Sequence, residues 1–583
     1  MFADDLVLWT SGTDLQKLQN ELNQALMTIS TYCELWKLKV NSRKTVYTIF
    51  TLSPTVAHAK LQLQVQDQNI EKEETPTYLG VRLDTRLTLK PHFDDIANKV
   101  SKRLNLLKRL ASTNWGTNKK TLRQLYTGYV RAVFDYSAPL QVIASKSNKE
   151  KLDRKQSEAL RFVCGGLRTT PNSACEIDAN IEPLNIRRER SAALTLERYK
   201  RMNEDNPCKR LAEELPNNYR ISKTSFLRKS IEIAEAYHFP QDRQSTQIIP
   251  ETGPHKELKK PFCRPELLEK TDKSTPQPIL KLLAYEVIES YPEDIIHAYT
   301  DGSAVNAILN GGCGAIIYTP DQDDPVRISR PCGTHCHNYD AEIEAIQKTL
   351  NTLGRTFEDG TVEPTDIVIF TDSQSAVEAV ENWKSEAARN VEKVVLTSDF
   401  ISRLYGVEIT LQWIPAHCGV KGNEIADKLA KQGSRMPQEA SNTPYYTAKQ
   451  IAKQKSKEEW HSKWRTDETG RTLFKYQPTP NIKDNINNLK RKDQCNIYRL
   501  RTGHSVLNMH RNRLDPQAPP HCRHCTHPYE TVEHHLFHCP KLRDLRDKYL
   551  PKNPDIENCL FSNTLQLQKT SQYHSMALRV NKG

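Results

Sequence analysis

Apolar runs and polar breaks in the second half of the chain predict a sheet that opens with a hairpin. The run of residues 295–300 fits a buried strand, and Gly302-Ser303 after it predicts a tight turn at the strand end. A second strand fits Gly312–Tyr318. Residues 294–319 are therefore predicted to form the first two strands of a sheet.

Helical and strand patterns follow this hairpin along the chain. Apolar residues recur at three- and four-residue spacing over 343–350, which predicts an amphipathic helix beginning near Tyr339. Residues 367–371 fit a further buried strand, and Ser373 can cap a helix that follows it. The succession indicates an α/β domain within a multidomain chain.

Further helices are predicted on either side of this region. Residues 422–430 fit a helix that would turn Ile425 and Leu429 toward the sheet. In the first part of the chain, residues 15–38 fit an amphipathic helix and residues 46–50 fit a strand. The pattern therefore places regular structure at both ends of the chain's first 430 residues.

The composition fits a large protein with a phosphate-bearing partner. Its 583 residues suffice for about three or four domains, and 83 Lys and Arg against 71 Asp and Glu leave a net charge of +12. No apolar stretch reaches the length of a bilayer span, and no signal peptide opens the chain. We expect an intracellular protein, cytoplasmic or nuclear and not secreted, with no membrane partner and with its 14 cysteines largely reduced.

Four carboxylates stand in contexts that aim them at a shared point. Asp301 and Asp372 are predicted at strand ends, whereas Glu342 and Asp427 are predicted within helices. Acids a few ångströms apart raise each other's pKa, and divalent cations remove that penalty. Mg²⁺ prefers oxygen ligands, and two such ions can clamp both oxygens of an in-line displacement. The set predicts metal-dependent cleavage of a phosphodiester.

The segments around these acids together resemble the signature of a ribonuclease H domain. They are Thr300–Ser303, Ala341–Ile343, Thr371–Gln374 and His417–Asp427, and the resemblance covers residues 291–437. It implies a ribonuclease H-like mixed five-stranded sheet with flanking helices and two Mg²⁺ ions, with Mn²⁺ as an alternative. It also implies endonucleolytic hydrolysis of the RNA strand of an RNA:DNA hybrid, leaving a 5′-phosphate.

The resemblance further implies a role for each acid. Asp301 would bridge both metal ions. Glu342 and Asp372 would complete the shell of one ion, and Asp427 would serve the other.

Two further residues match family positions. His417, on a loop rich in Pro and Gly, matches the histidine proposed to assist the attacking water or product release. Gln374 matches a residue that contacts the nucleic-acid strand.

The first residues carry two adjacent acids, Asp4 and Asp5, within the apolar stretch Phe2–Leu8, which predicts the tip of a strand hairpin. Val40–Thr45 and Tyr78–Val81 follow at a distance. Together these segments resemble the palm, the lysine-bearing motif and the primer-gripping hairpin of Jockey-like non-LTR retrotransposon polymerases.

This second resemblance implies a partial reverse transcriptase palm over residues 1–84 and a helical region like the thumb and connection over 85–205. In that family the fingers and an earlier palm strand with its own catalytic Asp precede the hairpin, whereas this sequence begins at Met1. Two-metal phosphoryl transfer needs that third carboxylate. We expect no autonomous DNA synthesis, and the alternative of an active reverse transcriptase cut short by gene modelling stays open.

Cysteine and histidine spacing near the C-terminus predicts a zinc site. Cys522-x2-Cys525-x8-His534-x4-Cys539 supplies the donors that tetrahedral Zn²⁺ takes from two short elements. The neighbouring histidines leave the choice of His ligand open; they are His521, His524, His527, His535 and His538. The segment resembles the tail of the same polyproteins, which implies a CCHC zinc knuckle over 511–545 and a tail over 546–583.

The stretches between these modules carry less information. Residues 206–290 predict a linker with one short helix near Ile279–Tyr291, and residues 438–510 predict a helical connector. The cluster Cys332–His337 contains thiols and imidazoles, and we assign it a structural or incidental role.

Three readings of the function remain open: an active hybrid-specific ribonuclease, a nucleic-acid-binding remnant whose catalysis has lapsed, and an inert pseudogene product. The four intact acids and His417 favour the first, because unconstrained decay would strike some of them. The expected partner is an RNA:DNA hybrid, RNA or DNA, and the oligomeric state stays open.

Overall fold

A six-stranded mixed sheet lies at the centre of residues 258–438 in the computed structural model. The residues described are 5–66, 68–213, 225–244, 258–269, 271, 275–305, 309–383, 389–438, 443–480 and 483–580. The chain forms two compact units, Met1–Ala192 with Lys223–Lys229 and Ser456–Gly583 (unit 1), and Ala193–Ser222 with Ser230–Lys455 (unit 2). The sheet belongs to unit 2.

The strands fall into three short pairs and one sheet. In chain order they are β1 Val46–Tyr47, β2 Gln64–Val65, β3 Gln68–Asn69, β4 Glu71–Lys72, β5 Thr77–Tyr78, β6 Val81–Arg82, β7 Phe262–Arg264, β8 Ile296–Val305, β9 Leu309–Tyr318, β10 Val326–Gly333, β11 Ile367–Thr371 and β12 Ile409–Trp413. The sheet has the order β10-β9-β8-β11-β12-β7. Its first three strands are antiparallel neighbours, and β8, β11, β12 and β7 run parallel.

Helices make up most of the remaining regular structure. The α-helices are α1 Leu15–Leu35, α2 Pro54–Ala57, α3 Lys90–Leu110, α4 Lys119–Leu125, α5 Arg131–Asp135, α6 Lys146–Cys164, α7 Asn172–Ala179, α8 Leu184–Tyr199, α9 Pro207–Glu213, α10 Phe226–Glu235, α11 Gln277–Glu289, α12 Asn338–Glu358, α13 Gln374–Glu381, α14 Arg389–Tyr405, α15 Lys421–Arg435, α16 Tyr445–Thr466, α17 Arg471–Phe474, α18 Arg491–Thr502, α19 Asn508–Leu514, α20 Arg543–Tyr549, α21 Ile556–Leu560 and α22 Thr564–Ala577. Tyr126–Val130 and His534–His538 are π-helical, and Ala138–Ile143, Asn485–Asn488 and Pro540–Leu542 are 3-10 turns. Among the described residues, no helix combines the length and the apolar character that a membrane span requires.

Alternate residues of the sheet strands face two different cores. Ile367 and Ile369 of β11 pack with α12, α13 and α14, whereas Val368 and Phe370 pack with α11 and α15. Helix α12 and strand β11 confirm the elements predicted near 339–350 and 367–371. Ser373 occupies the N-cap of α13 as predicted, but its hydroxyl makes no bond to a helix amide.

The sixth strand corrects the predicted count of five. β7 pairs in parallel with β12 at the sheet edge, and it lies in the segment predicted as a linker. Pro261 and Pro265 flank this strand, and proline is tolerated at an edge because one side of an edge strand needs no ladder bond. The same segment also holds α9, α10 and α11, the last of which confirms the short helix predicted near Ile279–Tyr291.

Asp301 lies within a strand, which corrects its predicted position at a strand end. β8 continues to Val305, and Asp301 pairs with Gly314 of β9. A Cβ on Gly302 would lie within 3.0 Å of the backbone of Glu342. Gly302 therefore serves the close approach of α12 to the sheet and does not turn the chain.

Helix α15 packs on β9 at a similarly short distance. A Cβ on Gly312 or on Gly314 would lie within 3.0 Å of the α15 backbone. Ala426 and Ala430 are the fully buried side chains of this contact. The predicted Ile425 and Leu429 are only half-buried and flank it, because small residues let the helix backbone come closest.

The N-terminal part of unit 1 consists of α1 and the short strand pairs. Helix α1 confirms the helix predicted over 15–38, and β5 and β6 form the predicted hairpin at Tyr78–Val81, with positive φ at both turn residues. The strand hairpin predicted at Phe2–Leu8 is wrong for the described residues. Leu6, Val7 and Leu8 are exposed and form no strand, because no strand of the described chain pairs with them.

The larger part of unit 1 has one apolar core that joins distant segments. Its buried residues come from Leu89–Leu184 and from Ile486–Ala577. Cys522 and Cys539 of the predicted zinc site belong to the same core. Residues 89–184 of the helical region predicted over 85–205 are therefore packed with the C-terminal modules in one core of this unit.

We predict that Gly314→Val destabilises unit 2. The added side chain meets the backbone of α15, which must shift, and overpacking of this kind costs about 1–3 kcal/mol or more. Chemical denaturation should show this loss. Gly354→Ala is the matched control. Gly354 lies within α12, and a Cβ there would contact the Ile401 side chain at an ordinary 3.6 Å, so this variant should be at least as stable as the unchanged chain.

Candidate active site

Three of the four predicted acids meet in the structure. Asp301 on β8, Glu342 one turn into α12 and Asp372 after β11 offer carboxylate oxygens that all lie within 4.8 Å of one another. Thr300 of β8 stands opposite Thr371 of the parallel strand β11. The residues that follow, Asp301 and Asp372, therefore reach the same level of the sheet.

Burial raises the pKa of all three acids, and nearby carboxylates add to the effect. Burial, then the neighbouring Asp372 carboxylate, raises the pKa of Asp301 to about 8. Burial, then Asp301, raises the pKa of Glu342 well above its usual value. Burial also raises the pKa of Asp372. The cluster resists holding three negative charges unless a cation is bound.

Asn423 is a site residue to which the sequence pattern gave no role. Its Nδ2 donates to Asp372 Oδ2 at 3.0 Å, and the side chain is 4% exposed. This bond opposes the effect of burial and lowers the pKa of Asp372. The segment His417–Asp427 contains the pattern that could have indicated this role: the polar Asn423 stands between the small residues Gly422 and Ala426, which are buried on the sheet side of α15.

Asp427 is placed apart from the other three acids. It lies on α15 and is absent from the group of mutually close carboxylates. Its Oδ2 accepts a bond from Lys431 Nζ at 2.6 Å on the next helical turn, with the Asp427 side chain 23% exposed. Its charge still raises the pKa of Asp301, after the effects of burial and Asp372. Asp427 therefore borders the cluster.

His417 and Gln374 both follow Asp372 in the chain, Gln374 at the start of α13 and His417 before α15. His417 is exposed in the turn between β12 and α15, with a left-handed φ of 53°. After burial and the Asn423 bond, its charge is the next influence on Asp372, whose pKa it lowers. Gln374 begins α13, is exposed, and donates from Nε2 to the carbonyl oxygen of Pro265 at 3.0 Å.

The donor set of the cluster fits a hard divalent cation. All three side chains offer oxygen, and among the residues that the structure describes Oε2 of Glu342 is buried without a hydrogen-bond partner. A buried carboxylate oxygen that lacks a partner is costly. An oxygen-binding ion such as Mg²⁺ would supply the missing interaction and compensate the clustered charge.

The N-terminal acids form no comparable group. Asp4 lies outside the described residues, and Asp5 is exposed. Within the described part of the chain, Asp5 does not join other acids, cysteines or histidines in a set that could hold a metal ion.

A second potential metal centre lies in unit 1. Cys522, Cys525, His534 and Cys539 place one ligand atom each within 4.8 Å of one another. The Cys522 and Cys539 sulfurs are 3.9 Å apart, and tetrahedral zinc with bonds of about 2.3 Å would separate them by about 3.8 Å. Burial, then the Cys522 thiol, raises the pKa of Cys539 to about 12, so thiolates here require a cation.

The neighbouring histidines are placed differently from His534. His535 is buried, and its Nε2 lies 3.0 Å from Nδ1 of His574 on α22. The His527 ring stacks on the His534 ring at 4.0 Å between centroids. Among the described residues, His534 is thus the imidazole that joins the three cysteines in one group.

Part of this chain is similar to known proteins. The family model RNase H matches residues 293–435. The chain is 30% identical over 144 residues to a ribonuclease H of Francisella philomiragia subsp. philomiragia, covering 23% of this chain and 88% of that protein. It is also 30% identical over 165 residues to the probable RNA-directed DNA polymerase from transposon BS of Drosophila melanogaster, covering 28% of this chain and 18% of that protein. A crystal structure of LC11-RNase H1 in complex with RNA/DNA hybrid matches 24% of this chain and 97% of its own, at 19% identity and a TM-score of 0.20.

A mixed sheet that gathers acids from β8, α12 and β11 defines the ribonuclease H class of enzymes. The chain belongs to the ribonuclease H family. Its similarity to a transposon polymerase confirms the resemblance to retrotransposon polyproteins. The chain spans less than a fifth of the length of that polymerase.

We predict that acidification destabilises unit 1 through its buried histidine pair. Burial, then Arg523, lowers the pKa of His574 to about 4, and burial, then His574, lowers that of His535. An unfolded histidine takes up its proton near pH 6.5, so below that pH the unfolded chain binds protons that the native unit does not. Stability should be complete above pH 6.5 and fall toward pH 4, by up to about 3 kcal/mol from His574 alone.

Denaturation midpoints measured between pH 8 and pH 4.5 test this expectation. His574→Gln should flatten the pH dependence, whereas His538→Gln, which changes an exposed histidine, should leave it unchanged. Equal slopes in all three proteins would contradict the assignment.

Proposed function

We propose that the chain is an endonuclease that hydrolyses the RNA strand of RNA:DNA hybrids and uses two Mg²⁺ ions. One observation carries the proposal: within a ribonuclease H fold, carboxylate oxygens of Asp301, Glu342 and Asp372 lie within 4.8 Å of one another, and an oxygen of Glu342 is buried without a partner in the described part of the chain. The net charge of +12 suits a polyanionic duplex, because Lys and Arg neutralise phosphates.

Each acid would bind one or both of the ions. Asp301, Glu342 and Asp372 would hold one ion, and Asp301 would share the second ion with Asp427. When bound, the ions would stabilise charge on the scissile phosphate and lower the pKa of the attacking water. The half-buried Asp427 carboxylate lies beside the cluster, where Lys431 pairs with it.

Two polar residues support Asp372 in this proposal. Asn423 fixes the orientation of the Asp372 carboxylate and favours its ionised form through a 3.0 Å bond. His417 stands on the solvent side, where its imidazole can take up a proton and pass it to water. Gln374 is placed at the exposed start of α13, where a strand backbone could replace its bond to Pro265.

For the C-terminal cluster we propose a structural zinc ion held by Cys522, Cys525, His534 and Cys539. Buried contacts hold the loop that carries these ligands: Glu530 accepts a bond from Arg523 at 2.7 Å and one from the Asn508 backbone at 2.6 Å. Because two of the cysteines belong to the unit 1 core, the ion would stabilise that whole core.

We predict that Asp372→Asn abolishes cleavage of the RNA strand in a labelled RNA:DNA hybrid with Mg²⁺. The substitution removes the charge of a metal ligand. Loss of a residue that only supports a ligand typically costs about 10–100-fold, and the cleavage rate of Asp372→Asn should fall by more than that. Hybrid binding, measured by fluorescence anisotropy, should persist.

Asp323→Asn is the matched control for this experiment. Asp323 is an exposed acid in the turn between β9 and β10, so its change should leave the rate intact. Full activity in Asp372→Asn would refute the assignment. Absence of cleavage by the unchanged chain, despite hybrid binding, would favour the binding remnant.

We predict that Cys539→Ser loses one zinc ion per chain and lowers the unfolding midpoint of unit 1. The loss should include much of the roughly 10 kcal/mol that structural zinc contributes to folding. Nucleic-acid binding should weaken, while cleavage chemistry at Asp301 persists. Cys559→Ser is the control, because Cys559 is equally buried in the same core but lies outside the ligand group, so its zinc content should remain at one.

A further inference from the structure

A cleft of about 370 Å³ opens in unit 2 beside helix α15. Its lining includes Tyr285 of α11, His297 and Tyr299 of β8, Tyr318 of β9, and Lys421 at the start of α15. The volume lies in the range of small-molecule sites, which begins at about 300 Å³. No step of the proposed cleavage reaction uses these residues.

The aromatic walls of the cleft are held rigidly. The Tyr299 ring stacks on Phe370 at 4.9 Å between centroids and meets the Tyr318 ring edge to face at 6.1 Å. Tyr299 is 7% exposed, whereas Tyr318 is 38% exposed. Tyr299 thus anchors the wall in the core, and Tyr318 presents a ring that a planar ligand can reach.

The polar groups of the cleft are mostly hydrogen-bond donors. Burial, then the neighbouring Tyr318 and Tyr285, raises the pKa of Tyr299, so the Tyr299 hydroxyl stays protonated and can donate a hydrogen bond. The Lys421 ammonium makes no ion pair within the described part of the chain, and Glu293 at the rim can accept a bond from an amino group. This arrangement complements a ligand with a flat aromatic part and an anionic part.

The cleft lies along the strand that carries Asp301. Tyr299 precedes Asp301 by two residues on β8, so both side chains point to the same face of the sheet, about 7 Å apart along the strand. The accessible Tyr318 pairs with His297, four residues before Asp301, so it lies about 13 Å from the acid along the strand. A nucleic-acid strand that passes the acid cluster would therefore reach the cleft through an extension of a few nucleotides.

We propose that the cleft between α11, β8 and the start of α15 binds one unpaired nucleotide, its base against the tyrosine rings and its phosphate near Lys421. Base stacking on aromatic side chains and a cation near the backbone are the usual means of single-strand binding. The nucleotide comes either from an unpaired extension of the strand or from a free mononucleotide. Only the first source rests on the proposed hybrid substrate.

Binding measurements on the full chain test the proposal. One arm titrates adenosine 5′-monophosphate by calorimetry. The other compares, by fluorescence anisotropy in the Asp372→Asn background, a blunt RNA:DNA hybrid with the same hybrid carrying a short unpaired extension. Tyr318→Ala and Lys421→Ala are measured in both arms. Tyr446→Ala, an exposed tyrosine outside the cleft, is the control.

Each outcome bears directly on the cleft. A preference for the extended hybrid that both cleft variants reduce about tenfold, with the control unaffected, supports the proposal and assigns the nucleotide to the strand. Mononucleotide binding that both variants weaken to the same degree supports it with a free nucleotide as the source. The proposal is overturned if Lys421→Ala and Tyr318→Ala both bind every ligand as the unchanged chain does. Lys421 is exposed, so its change leaves the core intact. Hybrid cleavage by the unchanged chain is scored separately, so failure of the ribonuclease proposal and failure of the cleft proposal remain distinct.

Discussion

The active site depends on two places where a helix backbone touches the sheet without side chains between them. At Gly302 the first turn of α12 rests against β8, and at Gly312 and Gly314 the middle of α15 rests against β9. Ordinary helix-to-sheet packing inserts side chains into this space, and the helix axis then stands farther away. Because the helices pack this closely, the Glu342 carboxylate reaches Asp301 and the Asn423 amide reaches Asp372. The glycines of the sheet are thus a geometric requirement of the carboxylate cluster.

The same close packing creates the electrostatic problem that a cation solves. Burial raises the pKa of Asp301, Glu342 and Asp372, and nearby carboxylates raise it further, Asp372 at Asp301, Asp301 at Glu342 and Asp427 at Asp372. Few positive groups offset this: Lys431 is engaged with Asp427, and His417 stands at the solvent side. A site built this way is stable when protonated or when it holds a metal, so its affinity for a divalent ion should rise as the acids lose their protons.

Much of this arrangement could be predicted from the sequence, because strongly periodic strands and helices can be recognised from their own residues alone. The strand before Asp372, the helix around Glu342 and the helix at α15 all follow from spacing alone. The features that the sequence did not predict depend on contacts between segments that are distant in the chain. Gly302 looks like a turn signal, yet its role is to leave room for Glu342 across the sheet. The strand β7 has three residues between prolines and exists only because β12 offers an edge. Asn423 stands in a quoted motif, but its partner is 51 residues away in sequence.

The two proposed cation centres illustrate two ways of stabilising buried ligands. The carboxylate cluster lies in a sheet with an apolar core on each face, so an ion there would serve reactivity rather than the fold. The cysteine cluster is itself part of an apolar core, where Cys522 and Cys539 pack with helices from Leu89 onward. Zinc at that position would add coordinate bonds between two short segments to the apolar contacts that already pack them into the core. Oxygen ligands with an accessible rim therefore suit an ion that meets substrate, whereas sulfur ligands enclosed by a core suit an ion that holds a fold.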